Sequence, residues 1–253
     1  MIDDPQGSVL AVFAIFCRIG GCMMMLPGFG SFRVPMQVRL FSALAVAIGL
    51  SPMLWDIVYP RIQGTPSGYL VFVASELATG IVFGLLAQFI MLGLQFAGTT
   101  IQMMIGFNSA PGMSLLEAEP EGQLTSLISF TGVIVLFLTD FHHLIIRTLV
   151  DSYTFMPIDT GFVPRMALVS LTDTAAATFS AMLRLASPFI VYGLIFNFAI
   201  GMVNKLAPQI PIYFISIPFL LFGGLILFYF GSIDFFALFF DAFEPLYTGQ
   251  GQN

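Results

Sequence analysis

The chain has 253 residues, of which 58% are hydrophobic and 9% are charged, and its formal net charge is −6. Soluble domains carry about 25% charged residues, so this composition excludes a soluble globular protein and indicates an integral membrane protein. Only eight residues are Lys or Arg, which also excludes a nucleic-acid-binding surface.

Apolar runs of the length that crosses a bilayer, about 20 residues, predict six helical regions. These regions cover residues 8–27, 38–59, 69–104, 124–150, 166–204 and 209–244. As unbroken helices, the third, fifth and sixth would each reach on the order of 50 Å at about 1.5 Å per residue. We therefore expect an all-α integral membrane protein of about six long, kinked helices.

Two arginines lie well within apolar regions, away from the ends of these regions. Arg18 is near the middle of the first region, and Arg184 is in the fifth, four residues before Pro188. An isolated arginine in lipid costs several kcal/mol, so Arg18 needs a partner or a wet surface. Cys17 and Cys22 lie five residues apart and fall on different helix faces, so we expect buried free thiols rather than a disulfide or a metal site.

Polar and small residues follow one face of the third region, within an arc of about 120° at 100° per residue. This stripe comprises Glu76, Gly80, Gly84, Gln88, Gln95 and Gln102. Its two glycines form a GxxxG pair, which lets two membrane helices approach closely. Two interpretations stay open: the stripe packs against the protein's own helices, or it meets a partner chain or a water-filled path.

The fourth region ends in DFHHLIIR, which contains Asp140, His142, His143 and Arg147. Two adjacent histidines cannot share a helix face, and no third ligand is spaced for a zinc site. We expect them to form hydrogen bonds at the membrane interface rather than to act in catalysis or metal binding. The sequence also lacks HExxH, GxSxG, a P-loop and CxxC, so no enzymatic activity, cofactor or metal is expected.

The central loop, residues 102–124, interrupts two strongly apolar regions with the sequence QMMIGFNSAPGMSLLEAEPEGQL. Connections between packed helices usually take about 2–8 residues, and longer ones tend to be functional or disordered. Its methionines and other apolar side chains would seek contacts, so we expect it to fold back onto the helices. The three acidic residues Glu117, Glu119 and Glu121 indicate a solvated or pore-edge charge cluster rather than a cation site.

Several motifs occur together in a specific order. A PGFG…VP…VR turn follows the arginine-bearing first helix, and E-x-x-x-G-x-x-x-G opens the third at Glu76. The central loop ends in the acidic-Pro pair Glu119–Pro120, residues 143–157 read H-x-I-x-x-x-x-x-x-S-Y-x-x-x-P, and APQIPIYF lies at the start of the last region. Over nearly its whole length the chain resembles the FliR family of flagellar type III export-gate proteins. The injectisome SctT proteins share this plan and are the close alternative.

The resemblance implies a single export-gate domain over residues 1–253, with helices arranged as hairpins in a helical assembly. It implies assembly with FliP and FliQ into a pore through which unfolded flagellar proteins cross the bacterial inner membrane, beside FlhA and FlhB in the flagellar basal body and in contact with lipid. The stripe would then supply contacts between subunits. The family's central loop is a plug in the closed pore, and its counterparts here are Met103, Met104, Gly106, Phe107, Asn108, Met113, Glu119 and Pro120. Relatives commonly carry Asp-Pro where this chain has Glu119–Pro120.

Two other functions are compatible with parts of the sequence. A secondary transporter would use Arg18, Glu76, Asp140 and Arg184 for coupling ions, but it predicts an internal inverted repeat, and none is evident in the sequence. A membrane scaffold without a pore is the second alternative.

Overall fold

The structure is a computed structural model and describes residues 4–30, 34–62, 65–107, 122–155 and 161–248. Within these ranges every regular element is a helix, which confirms the predicted all-α class. The α-helices are α1 (Pro5–Met25), α2 (Met36–Val58), α3 (Pro66–Met104), α4 (Gln123–Leu138), α5 (Phe141–Phe155), α6 (Pro164–Leu206) and α7 (Ile212–Thr248), and the short 3-10 helix Tyr59–Arg61 extends α2.

Five of the described helices are long and apolar enough to cross a membrane, and α4 with α5 adds a sixth if the two form one broken span. The five are α1, Met36–Arg61, α3, α6 and Ile212–Asp241 of α7. This agrees with the membrane class that the composition predicts.

The prediction of a single helix over residues 124–150 is wrong, because the helix is interrupted between α4 and α5. Asp140 adopts φ 56°, the one positive φ of a non-glycine residue within the described ranges. Aspartate tolerates this left-handed conformation better than most residues do. Its carbonyl oxygen accepts hydrogen bonds from the backbone N–H of His143 at 2.9 Å and of Leu144 at 3.3 Å. Asp140 therefore ends the interruption and accepts the first backbone hydrogen bonds of α5.

Prolines inside the helices do not end them. Proline lacks an N–H, so the carbonyl oxygen four residues earlier loses its helical donor. In α2, Ser51 precedes Pro52 and donates its hydroxyl to that freed carbonyl at 2.8 Å. In α6, Ser187 precedes Pro188 and makes the same hydrogen bond at 2.8 Å. Each serine replaces the donor that its proline removes.

The start of the last helix also accommodates prolines. The helix α7 begins at Ile212, directly after Pro211, and runs on through Pro218. A proline at the start of a helix costs few helical hydrogen bonds, because the first four N–H groups have no partner within the helix. This accounts for Pro211, which directly precedes α7, but not for Pro218, which lies within α7.

The described residues form two compact units, and each combines separate parts of the chain. One unit comprises Met1–Phe89 with Leu136–Ala175, and the other comprises Ile90–Val135 with Ala176–Asn253. In the first unit, α1 packs along α2. The second unit is centred on the C-terminal half of α3, whose fully buried side chains Ile90, Leu94, Ala97 and Ile101 repeat at the spacing of one helix face.

Candidate functional site

The two ends of the central loop are joined at what we call the loop base, formed by Gln102, Gly122 and Thr125. The side-chain oxygen of Gln102, Oε1, accepts a hydrogen bond from the Thr125 hydroxyl at 3.0 Å and another from the Thr125 backbone N–H at 3.2 Å. Gly122 lies against the Gln102 amide so closely that a Cβ would collide with it. One buried side chain at the end of α3 thus fixes the start of α4.

The segment that leads out of α3 into the loop has a buried and an exposed side. Met103 is 60% exposed, whereas Ile105 is fully buried. Gly106 adopts φ +71°, a conformation that side chains other than glycine rarely take. Met104 and Phe107 are partly buried. The predicted packing of the loop's beginning onto the helices is therefore seen as far as Phe107.

The remaining residues of the predicted plug, Asn108, Met113, Glu119 and Pro120, lie outside the described residues. So do the acidic positions Glu117 and Glu121. The plug assignment of these residues stays a prediction.

A buried ion pair joins α1 to α3 in the first unit. Arg18 Nη2 lies 2.7 Å from Glu76 Oε1, with the side chains 2% and 1% exposed. Arg18 Nη1 donates to Ser152 Oγ at 3.0 Å, and the guanidinium carbon is 3.7 Å from the centre of the Tyr153 ring. Arg18 therefore has the partner that its position demands, and α5 contributes a hydroxyl and an aromatic face to it.

The glycines of the α3 stripe bring α3 into backbone contact with α1. A Cβ at Gly80 would collide with the carbonyl oxygen of Arg18, and one at Gly84 would lie 2.6 Å from the carbonyl oxygen of Cys22. The approach is reciprocal, since a Cβ at Gly21 of α1 would lie 2.8 Å from the carbonyl oxygen of Leu77. The GxxxG pair acts within the chain, and this close approach places Arg18 beside Glu76.

The subunit-contact role of the stripe stays a prediction, and four of its positions have contacts within the chain. Glu76, Gly80 and Gly84 pack against α1, and Gln102 binds α4, so these four positions follow the alternative of packing within the chain. Gln88 and Gln95 are half-buried, and for them a contact with another subunit stays a prediction.

Within the described ranges, the other charged and reactive side chains singled out in the sequence are not gathered into a site. Arg184 is exposed on α6. His143 lies 3.3 Å from Asp140 with both side chains largely exposed. Cys17 and Cys22 are buried free thiols, as predicted. No group of three or more His, Cys, Asp or Glu able to hold a metal ion occurs among the residues that the structure describes.

Sequence reasoning missed Ser152 and Tyr153 as partners of Arg18. Both belong to the S-Y pair of the motif over residues 143–157, but the motif alone does not say what they contact. Arg18 and Ser152 are 134 positions apart, and no local pattern connects them.

These features define a helical membrane protein with a buried ion pair and a long loop whose ends are held together. The family described as bacterial export proteins, family 1, matches residues 9–246. The chain belongs to this family, and it is a membrane component of the flagellar export apparatus.

Three relatives are each called flagellar biosynthetic protein FliR. The protein of Caulobacter vibrioides is 31% identical over 211 residues, covering 83% of this chain and 84% of the relative. The Escherichia coli protein is 29% identical over 194 residues, covering 76% and 72%, respectively. The Bacillus subtilis protein is 22% identical over 217 residues, covering 82% and 80%.

Proposed function

We propose that this chain is the FliR subunit of a flagellar type III export gate in the bacterial inner membrane. In this proposal it assembles with FliP and FliQ around a pore and works beside FlhB and FlhA. Unfolded flagellar proteins pass through the pore, and the central loop helps to close it when no substrate is present. The observation that carries the proposal is the family match over residues 9–246, which includes both helices that flank the central loop.

The loop base supports the closing role. A loop that closes a pore must have its ends held in a constant position, because a loop with mobile ends would not come back to the same position in the pore. Gln102 provides such a fixed point by binding Thr125 through two hydrogen bonds in a buried setting. Buried hydrogen bonds of this kind are costly to break without replacement.

The composition of the loop suits contact with changing substrates. Methionine is unbranched and flexible, so it adapts to irregular apolar surfaces. Met103, Met104 and Met113 lie in the loop, and glycines give its backbone conformational freedom. A closure made of adaptable apolar contacts can exclude ions and still yield to an unfolded chain.

Deletion of residues 106–122 tests the closing role. Because the side chains of Gln102 and Thr125 are within hydrogen-bonding distance, a short Gly-Ser linker between Ile105 and Gln123 can replace the deleted residues with little change to either helix. We expect the shortened chain to copurify with FliP and FliQ and to give a gate that leaks ions. Failure of the three proteins to copurify would make the loop an assembly element, and the plug assignment would be wrong.

Removal of the gene tests membership of the gate more broadly. We expect a deletion strain to stop secreting flagellar filament protein and to lose swimming, and a plasmid copy of the gene to restore both. Normal secretion in the deletion strain would exclude the proposed role. Loss of injectisome secretion with intact swimming would favour the SctT alternative.

A further inference from the structure

The helix α5 has one buried face and one charged, exposed face. Its buried side chains recur at the spacing of one helix face, and they are Phe141, Ile145, Leu149, Ser152 and Tyr153. Four charged or titratable side chains follow the opposite face at the same spacing, and they are 54–82% exposed: Asp140, which directly precedes α5, His143, Arg147 and Asp151. We call these four residues the α5 polar face.

The two ends of α5 fix its position in the first unit. Just before α5, the ring centre of Phe137 lies 6.3 Å from that of Phe29, which follows the end of α1. At the other end of α5, Ser152 and Tyr153 contact the guanidinium of Arg18. The helix α5 therefore begins at the level where α1 ends and runs back along α1 to the buried ion pair.

The ion pair lies well inside a candidate membrane span, because α1 is long and apolar enough to cross a bilayer. Arg18 is seven residues before the end of α1 at Met25, which corresponds to about 10 Å of helix at about 1.5 Å per residue. The α5 polar face thus runs from the level of the membrane surface to the depth of this pair.

The guanidinium of Arg18 lies deeper than its backbone. The helices α1 and α3 run in parallel, because Gly80 approaches the carbonyl of Arg18 and Gly84 approaches that of Cys22. Glu76, which binds the guanidinium, is one turn earlier in α3 than Gly80. The Arg18 side chain therefore points away from the end of α1, and the inner end of α5 follows it.

Water covers the α5 polar face at a lower cost than lipid or another chain does. Charged side chains that face lipid are expensive, and charges buried under a second chain lose their hydration. The charges of this face are paired along the helix, since His143 Nδ1 lies 3.3 Å from Asp140 and Arg147 Nε lies 4.0 Å from Asp151. Exposed pairs of this kind are typical of surfaces in water, and they require no partner of complementary charge.

We propose that the α5 polar face lines a water-filled cleft, which opens on the side of the membrane where α1 ends and reaches the depth of the Arg18–Glu76 pair. Asp140 lies near the mouth of this cleft, and Asp151 lies at its inner end. About 10 Å of a hydrocarbon core of about 30 Å is then wet along α5. The cleft goes beyond the proposed function, because it rests on the membrane spans of the first unit and not on a pore or a plug.

Cysteine labelling in membrane vesicles tests the cleft with the full chain in its native assembly. In a background that lacks the two natural cysteines, single cysteines are introduced as His143→Cys, Arg147→Cys and Asp151→Cys. A membrane-impermeant maleimide is then added to right-side-out vesicles and to inverted vesicles. We expect all three positions to be labelled, and each from one side only.

Two marker positions identify that side. Met36→Cys marks the side where α1 ends, since α2 ends at the opposite side, where the Tyr59 hydroxyl donates to Asp4. Ser67→Cys marks this opposite side, because the hydroxyl of nearby Tyr69 donates to the Leu10 carbonyl near the start of α1. We expect the α5 positions to be labelled in the vesicles that label Met36→Cys.

Leu44 of α2 supplies the matched control for depth. It is exposed, and it follows Ala43, whose Cβ lies 4.0 Å from a Cβ built at Gly20 of α1. Leu44 is therefore close to the depth of Arg18 but lies on an apolar surface. A position in lipid reacts only in a minor state, which is populated at about 0.1–10%, so we expect Asp151→Cys to be labelled about tenfold or more faster than Leu44→Cys.

Labelling of His143→Cys without labelling of Asp151→Cys would confine water to the membrane surface and overturn the proposal. Labelling of Asp151→Cys only after detergent has separated the chain from lipid and partner chains would also overturn it, because one of these then covers the face. Failure of the proposed closing role, seen as a 106–122 deletion that does not leak, leaves the labelling result unaffected.

A nitroxide attached to Asp151→Cys gives a second measurement that does not depend on thiol reactivity. Its spin relaxation is compared in the presence of a water-soluble nickel chelate and of oxygen, which concentrates in lipid. We expect the nickel chelate to act more strongly at Asp151→Cys and oxygen to act more strongly at Leu44→Cys. A stronger effect of oxygen at both positions would place the α5 polar face in lipid and overturn the proposal.

Discussion

At the scale of single residues, the main feature is the buried pair of Arg18 and Glu76. Taking two charges out of water costs several kcal/mol per ion, and their attraction offsets this only with good geometry and further hydrogen bonds. Here the distance is 2.7 Å, Ser152 accepts from the guanidinium, and the Tyr153 ring lies over it. The pair therefore specifies how three helices meet more than it adds net stability.

Glu76→Gln should be strongly destabilising because it leaves the Arg18 charge buried without a counter-charge, a change that typically costs about 3–5 kcal/mol. The double variant Arg18→Met/Glu76→Leu removes both charges and should recover most of this loss. The measurement is the thermal unfolding midpoint of the purified chain in detergent. Arg165→Gln, at an exposed position in the first turn of α6, serves as the control and should change little. A double variant no more stable than Glu76→Gln would contradict this account of the pair.

At the scale of helices, two devices keep long apolar elements in register. Backbone-to-backbone approach at Gly21, Gly80 and Gly84 fixes α1 against α3. Ser51 and Ser187 keep proline-containing helices continuous. Neither device adds buried apolar area. Both instead specify how the helices are arranged, which apolar contact alone does not do in a membrane, because lipid tails are as apolar as the side chains.

Gly80→Ala should separate α1 from α3, because the new Cβ meets a backbone carbonyl that cannot rotate away as a side chain can. Overpacking of this kind costs about 1–3 kcal/mol. The matched variant is Gly49→Ala in α2, where no atom lies within 4 Å of a built Cβ. It should be neutral or stabilising by about 0.5–1 kcal/mol. Equal thermal midpoints for the two variants would show that the α1–α3 approach is not tight.

Ser51→Ala should cost about 0.5–1.5 kcal/mol, the usual net value of one hydrogen bond, because the carbonyl freed by Pro52 loses its donor. In a Pro52→Ala background the backbone N–H returns to that carbonyl, so the same serine change should cost almost nothing. Ser42→Ala is the control: Ser42 also donates to a carbonyl of α2, at 2.7 Å, but no proline has freed that oxygen. A cycle of these variants in thermal unfolding measures the coupling, and a serine cost that is equal in both backgrounds would exclude it.

At the scale of the whole molecule, the sequence predicts the helix ranges well because each long apolar run ends at a polar or proline-containing stretch. It does not predict the break at Asp140, since a single left-handed aspartate leaves no mark in composition. The need of Arg18 for a partner is predictable from the cost of its charge. Its partners are not, because Glu76 and Ser152 are distant in the sequence and only the packed helices bring them together.

The same limit applies to the central loop and its surroundings. Its length, flanking helices and apolar content indicate a functional connection. The bond between Gln102 and Thr125 and the contact of Ile105 with Gly224 depend on how α3, α4 and α7 pack, and a GG pair at residues 223–224 predicts no particular neighbour. Family resemblance extends the prediction to a pore and a plug, and in the proposed function the loop base anchors this plug.

Cysteine accessibility in the assembled gate distinguishes a gate from a scaffold without a pore. The buried thiols are first removed as Cys17→Ala and Cys22→Ala, and single cysteines are then placed at Met103, which is 60% exposed, and at Ile105, which is fully buried. A minor conformational state is populated at about 0.1–10%. If a position is accessible only in that state, its labelling rate rises about tenfold or more when the state becomes the major one. We expect a membrane-impermeant maleimide to label Met103→Cys at such an increased rate during active export, and Ile105→Cys to stay protected because this position is fully buried. Labelling of Met103→Cys at one rate at rest and during export would favour the scaffold.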